Sequence, residues 1–188
     1  MATPKELILD PNKAGEMVLD PDKHYEIVNG QPEEKEMAGA RHSGVGTRLI
    51  IRMGTHIEAN KLGAIYGADG SFTIGSKERM PDISFLSLGR IPIEGEPEKA
   101  WPLAPDLAVE IVSPNDLHDK VMDKIYEYFA AGVRQVWLVA PEHGTVTIYH
   151  TPTKATILAE NDELASDDLL PGFRCSLREI FKNPAERR

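Results

Sequence analysis

Apolar and polar residues alternate with two different periods along this chain, and the changes of period mark its elements. Tyr25-Glu26-Ile27-Val28 reads as an extended run, followed by Asn29-Gly30 and a second run over residues 31–37. Asn-Gly between two such runs predicts a hairpin, because both residues tolerate the positive φ of a type I′ turn. Over residues 41–62 the spacing becomes helical, with Val45, Leu49, Ile50, Met53, Ile57 and Leu62 recurring on one side and Gly63 as the expected stop. Residues 64–66 and 71–74 predict a second hairpin around Ala68-Asp69-Gly70, and Pro81-Asp82-Ile83-Ser84-Phe85-Leu86 opens a further strand. Residues 87–102 carry Gly89, Pro92, Gly95, Pro97 and Pro102 and form the one long loop, a kind of segment that tends to carry function or motion.

Leu107-Ala108-Val109-Glu110-Ile111-Val112 is nearly continuous in apolar residues, as suits a strand buried on both faces. Ser113-Pro114-Asn115 supplies a stop and a helix N-cap, and the helix over 116–131 closes at Gly132. Residues 135–139 form another apolar strand, and Pro141-Glu142-His143-Gly144 turns into a strand over 145–150. Strand, helix and strand with short joints make a βαβ unit, whose parallel crossover is right-handed. Residues 156–158 extend the sheet, and residues 177–181 form a short terminal helix. The class this predicts is α/β with a mixed central sheet flanked by helices. An arm is expected at 1–21, one domain at 22–182 and a tail at 183–188.

Composition narrows the function. The 188 residues suit a single domain, and 41% hydrophobic with 27% charged is ordinary for a globular chain. No apolar run approaches the roughly 20 residues that span a bilayer, and the N-terminus lacks a basic segment followed by an apolar one. A membrane protein and an exported one are both disfavoured. The single Cys175 excludes an internal disulfide and a cysteine-based zinc site, and fits a reducing cytoplasm. The net charge of −9 argues against a general basic coat for nucleic acid, but leaves room for a local groove or for a metal that offsets the acid.

Three charged residues stand where apolar ones are expected. At about 100° per residue, Leu117, Val121, Ile125 and Tyr128 share one arc of the helix, and Lys124 falls inside or at the edge of it. Its stem lies along the core with its head in water, or its ammonium is buried against a carboxylate. Glu110 interrupts an apolar strand, where an unpaired carboxylate would cost several kcal/mol unless the strand end dips into water. Asp82 opens the strand of Ile83 and Phe85, where Pro-Asp is also an ordinary turn. Running back along the strand, the helix places Lys124 roughly 12 Å from its start at 1.5 Å per residue. Glu110 lies roughly 6–7 Å back from the strand end. Helical side chains lean towards the N-terminus, so Lys124 reaches back to the level of Glu110. Two acids from neighbouring strands with an amine nearby suit a hard cation such as Mg²⁺ or Mn²⁺, which lowers the pKa of a bound water while the lysine orients or deprotonates it or steadies negative charge.

Pro81-Asp82, 27 residues, and then Glu110-Ile111-Val112 resembles the PD-(D/E)XK pattern of restriction-endonuclease-like nucleases, with Val112 where the lysine usually stands. More closely, the chain resembles the Uma-two family of restriction-endonuclease-like proteins. The matching stretches are Tyr25-Glu26-Ile27-Val28-Asn29-Gly30, His42, Pro81-Asp82-Ile83-Ser84-Phe85, residues 104–114, Lys124 with Glu127-Tyr128, Gly132-Val133 with Val136-Trp137-Leu138-Val139, and Leu170-Pro171-Gly172-Phe173. In that family the lysine is thought to have migrated to the following helix, where Lys124 stands. The resemblance implies a restriction-endonuclease-like core and a Mg²⁺- or Mn²⁺-dependent endonuclease acting on nucleic acid, DNA before RNA. It implies Asp82 and Glu110 as metal ligands, the Ile111 carbonyl as a third, Lys124 as the catalytic amine and Glu26 as a supporting acid. Ala140 departs from the family, where aspartate often follows the Trp-Leu-Val strand.

Other candidates carry less. The histidines at 24, 42, 56, 118, 143 and 150 form no zinc motif, and only His42, near the first helix, invites attention against a capping or surface role. Ser71 and Ser113 lack the nucleophile-elbow context, and the 67–75 stretch lacks a Walker lysine. Glu33-Glu34-Lys35-Glu36 reads as a solvated strand edge. Arg41, Arg48, Arg52, Lys61, Arg79 and Arg90 make a modest basic face or balance surface acid. A catalytically idle interaction module of the same fold and a purely structural Lys124–Glu110 pair remain as alternatives. Homodimerisation, with the arm exchanged across a two-fold axis, suits an enzyme that cuts two strands.

Overall fold

Two packed faces of one six-stranded sheet organise the chain. The structure is a computed structural model and describes residues 23–28, 31–35, 39–113 and 117–187. The arm expected at 1–21, the Asn29-Gly30 turn and the Pro114-Asn115 cap lie outside the described residues. No helix among the described residues is long and apolar enough to cross a membrane.

The first hairpin is present: β1 (His24–Val28) pairs antiparallel with β2 (Gln31–Lys35), with Val28 opposite Gln31. Glu33 and Glu34 are exposed on this edge strand. The helical spacing produces α1 (Ala40–Asn60), which buries Val45, Leu49, Met53 and Ile57 at intervals of three to four residues. Its stop is not Gly63. Lys61 takes the left-handed conformation at φ 53° and closes the helix. Gly63, at φ 152°, instead begins β3 (Gly63–Tyr66), where a Cβ would lie 2.0 Å from the Leu86 carbonyl oxygen. It is the close approach of two strands that demands glycine there.

The expected second hairpin, residues 64–66 with 71–74, does not form. β3 pairs with β6 (Ile83–Ser87), while β4 (Phe72–Ile74) pairs with β5 (Lys77–Arg79) through a turn at Gly75, φ 64°. Local turn signals cannot distinguish these partners, because β6 lies further along the chain and wins β3 through the shared core. β5 is too short and polar to have shown a strand pattern. The long loop holds a 3-10 turn at Leu88–Arg90 and returns through Trp101, which exchanges backbone bonds with Ser71 and Thr73 at 2.9 Å each.

The βαβ unit forms as expected. β7 (Leu107–Ile111) is buried throughout, α2 (His118–Ala130) follows, and β8 (Gln135–Ala140) lies parallel to β7. Gly132, at φ 95°, follows the last turn of α2, and Val133 donates to the Tyr128 carbonyl at 3.0 Å, which satisfies an otherwise orphaned acceptor. Leu117, placed by its spacing on the packed arc, is exposed because it precedes the helix. β9 (Thr145–Thr151) and β10 (Lys154–Leu158) complete the sheet in the order β10-β9-β8-β7-β6-β3. The β2-β1-β5-β4 sheet is separate. A two-stranded sheet of β11 (Glu163–Ser166) and β12 (Leu170–Ser176) and the helix α3 (Leu177–Phe181) end the fold.

Strand alternation assigns the two faces. Leu107, Val109 and Ile111 join Ile83, Phe85 and the buried side of α1 in one core. Ala108 and Leu86 join Phe72, Trp101, Ile125 and Tyr128 in the other, beneath α2 and the small sheet. Glu110 has the parity of Ala108 and therefore faces α2.

Candidate active site

Asp82 and Glu110 meet because β6 and β7 are antiparallel neighbours. Ile83 opposes Val109, so Asp82 and Glu110 come next in register on the same face. The Asp82 carboxylate accepts the Ile111 N–H at 2.8 Å, beyond the last backbone pair of the two strands. From the other side, His42 Nε2 on the first turn of α1 lies 3.3 Å from Asp82 Oδ2. A surface or capping role for His42 does not describe this contact.

Glu110 faces the middle of α2. Lys124 and Tyr128, four residues apart, lie one above the other on that helix and address the two oxygens of one carboxylate. The Tyr128 hydroxyl donates to Glu110 Oε1, and Lys124 Nζ lies 3.5 Å from Oε2. The same ammonium lies 3.5 Å from Glu26 Oε1 on β1. These distances exceed the roughly 2.7–2.9 Å of a charge-assisted hydrogen bond, so the ammonium sits between two acids without committing to either. Only 25% of the Lys124 side chain is exposed, which decides against a head lying free in water. Burial alone would lower its pKa, but Glu110 and Glu26, helped by Asp82, hold it above the ordinary lysine value.

Glu26 is held from behind. Arg79 of β5 donates to Glu26 Oε2 at 2.7 Å and, through its other nitrogens, to Glu127 Oε2 at 3.2 and 2.7 Å. The Met80 N–H reaches Glu26 Oε1 at 3.2 Å, and Lys77 pairs with Glu127. Burial pushes the Glu26 pKa up, but Lys124, Arg79 and the Met80 amide outweigh it and hold the carboxyl below its usual range. Glu127 is likewise held low against burial, by Lys77 and Arg79.

The structure thus gathers Asp82, Glu110, Lys124 and Glu26 in one cluster. Ile111 enters it through its N–H, given to Asp82. Sequence reasoning missed the clamp formed by Arg79 and Glu127 and the bond from Tyr128. The spacing Lys124, Glu127, Tyr128 on one helix face was a usable signal for two of these. None existed for Arg79, which stands on a strand too short to recognise. The five arginines of the proposed basic face are engaged. Arg79 is buried in the clamp, Arg90 pairs with Asp106 at 3.1 Å, and Arg41 bonds the Pro141 carbonyl and Glu142. Arg48 bonds the Ile180 carbonyl and Arg52 pairs with Glu179.

Among the described residues, no three His, Cys, Asp or Glu side chains gather to cage an ion by themselves. Asp82 and Glu110 are hard oxygen donors, a pair compatible with Mg²⁺, which usually takes one or two carboxylates and keeps waters or phosphate oxygens. A cavity of about 270 Å³ opens beside His42, between Gly39, Val112, Ser113 and Glu142.

A mixed α/β core that brings two acids and a lysine together beside β6, β7 and α2 is what the fold and the cluster define. A family model described as "Uma2: Putative restriction endonuclease" matches residues 14–178, and the chain belongs to that family. Among solved structures, it is similar to one described as a putative nuclease belonging to DUF820 from Anabaena variabilis. The two share 22% sequence identity with a TM-score of 0.77, over 87% of this chain and 93% of the other, a likeness of fold. Among curated proteins none matches.

Proposed function

We propose that this chain is a Mg²⁺- or Mn²⁺-dependent endonuclease that hydrolyses phosphodiester bonds of nucleic acid, DNA before RNA. The observation that carries the reading is Lys124 Nζ standing 3.5 Å from both Glu110 and Glu26 in a largely buried cluster beside Asp82. Asp82 and Glu110, with the Ile111 carbonyl, are the groups that would hold the ion. When bound, the ion supplies charge neutralisation and Lewis-acid polarisation of a phosphate.

The chain's own groups then divide the remaining work. The Lys124 ammonium, 3.5 Å from both Glu110 and Glu26, is placed to stabilise negative charge developing on the phosphate or to orient the attacking water. Glu26 keeps that ammonium aimed and is itself held by Arg79. Asp82 keeps its direction through the Ile111 N–H and His42.

The test is cleavage of plasmid, single-stranded DNA and RNA with and without Mg²⁺ or Mn²⁺. Glu110→Gln and Lys124→Ala are each expected to lose at least about 100-fold in rate while retaining the native circular dichroism spectrum, the scale of losing one charge-stabilising group. Wild-type-like cleavage by both variants overturns the assignment. The engaged arginines of α1 and the net charge of −9 favour a second reading, an interaction module without catalysis. On that reading the protein takes up no Mn²⁺ in calorimetry.

A further inference from the structure

Tyr128 lies one helical turn beyond Lys124 on α2 and is fully buried. Its ring belongs to the core cluster that includes Ala108, Ile125 and Val136, a role that phenylalanine would serve equally well. The hydroxyl is what distinguishes tyrosine there, and it donates to Glu110 Oε1.

The terminal torsion of a glutamate is broad and roughly two-fold, so an unrestrained carboxylate can offer a cation either oxygen or both. Glu110 is not unrestrained. One oxygen is taken by a hydroxyl fixed in the core, and the other faces Lys124 at 3.5 Å. We propose that Tyr128 is a positioning and specificity-determining residue, whose hydroxyl orients the Glu110 carboxylate so that Oε2 alone is presented to a divalent cation. The inference rests on reading Glu110 as a metal ligand. Single-oxygen ligation suits Mg²⁺ and Mn²⁺, whereas Ca²⁺ accepts both oxygens of a carboxylate and tolerates irregular geometry. The hydroxyl therefore favours the smaller ions over Ca²⁺.

Calorimetric titration with Mn²⁺ and with Ca²⁺ tests this on wild type, Tyr128→Phe, Glu110→Gln and Lys124→Met, each checked by circular dichroism. Groups that orient a metal ligand typically change affinity by about 10–100-fold. Tyr128→Phe is expected to lose that much Mn²⁺ affinity and to narrow the preference for Mn²⁺ over Ca²⁺. Lys124→Met is expected to bind Mn²⁺ at least as tightly as wild type, because a competing cation has gone from Oε2. Should a folded Tyr128→Phe keep Mn²⁺ affinity within about twofold while Glu110→Gln loses it, the hydroxyl is only structural and the metal reading stands without it. Should Tyr128→Phe fail to fold, Lys124→Met decides, and a loss there as large as that of Glu110→Gln overturns the proposal. If wild type binds no Mn²⁺, or Glu110→Gln binds it as well as wild type, the metal reading falls and this inference with it.

Discussion

The Asp82 carboxylate accepts the backbone N–H of Ile111 at 2.8 Å, so one of the two candidate metal ligands is also part of the strand framework beneath the other. The site and the sheet therefore share a bond, and the effect of a substitution at Asp82 depends on whether the new side chain can still accept it. Asp82→Asn keeps an acceptor and is expected to melt near wild type while losing cleavage. Asp82→Ala leaves a buried N–H without a partner and is expected to lose a further ~1–3 kcal/mol of stability. Denaturant titration of the two variants, beside a cleavage assay, separates the roles.

Arg79 is the second point of leverage. It is buried and joins Glu26 on β1 to Glu127 on α2. Removing one partner of a buried ion pair leaves the other uncompensated, at about 3–5 kcal/mol. Arg79→Gln is expected to be destabilised on that scale and to lose cleavage through misdirection of Lys124. Glu127→Gln, whose acid is more exposed, is expected to cost less. Urea midpoints with a common slope would show this ordering, and equal midpoints would contradict it.

Stability should depend on pH at both ends of the range. Glu26 and Glu127 titrate lower in the folded chain than a free glutamate, whose pKa is about 4.3. They add stability above that value and lose it as pH falls towards their folded values. Lys124 titrates higher than a free lysine, about 10.4, so it adds stability below that value and loses it as pH rises through the folded one. Melting temperature is expected to hold through neutrality and to decline on both the acid and the alkaline side. Lys124→Met should remove its own share of the alkaline decline and leave that of Tyr128, whose phenol is also held above its free range.

Gly63 tests the strand framework away from the chemistry. Its φ of 152° and the 2.0 Å approach of a would-be Cβ to the Leu86 carbonyl oxygen leave no room for alanine. Gly63→Ala is expected to cost about 1–3 kcal/mol in backbone strain, and more as β3 shifts from β6 to relieve the clash. Hydrogen exchange should report this as faster exchange of the β3 and β6 amides, with α2 and β8 largely unaffected.

Where local pattern carried the information, the sequence was sufficient. Period and turn chemistry placed α1, the first hairpin, the buried β7, α2 with its closing Gly132, and the parallel β8. The anomaly of a lysine on a packed helix face and a glutamate in an apolar strand marks Lys124 and Glu110 in the sequence itself. Those signals lie within one element and need no knowledge of distant partners. Which strand takes β3, the existence of β5, and the clamp from Glu26 through Arg79 to Glu127 were decided only by tertiary structure. Each depends on side chains many residues apart that compete for the same buried space and the same charge. A three-residue polar strand such as Lys77–Arg79 has no local pattern, and becomes a strand because burying Arg79 requires two carboxylates that only the assembled fold brings to it.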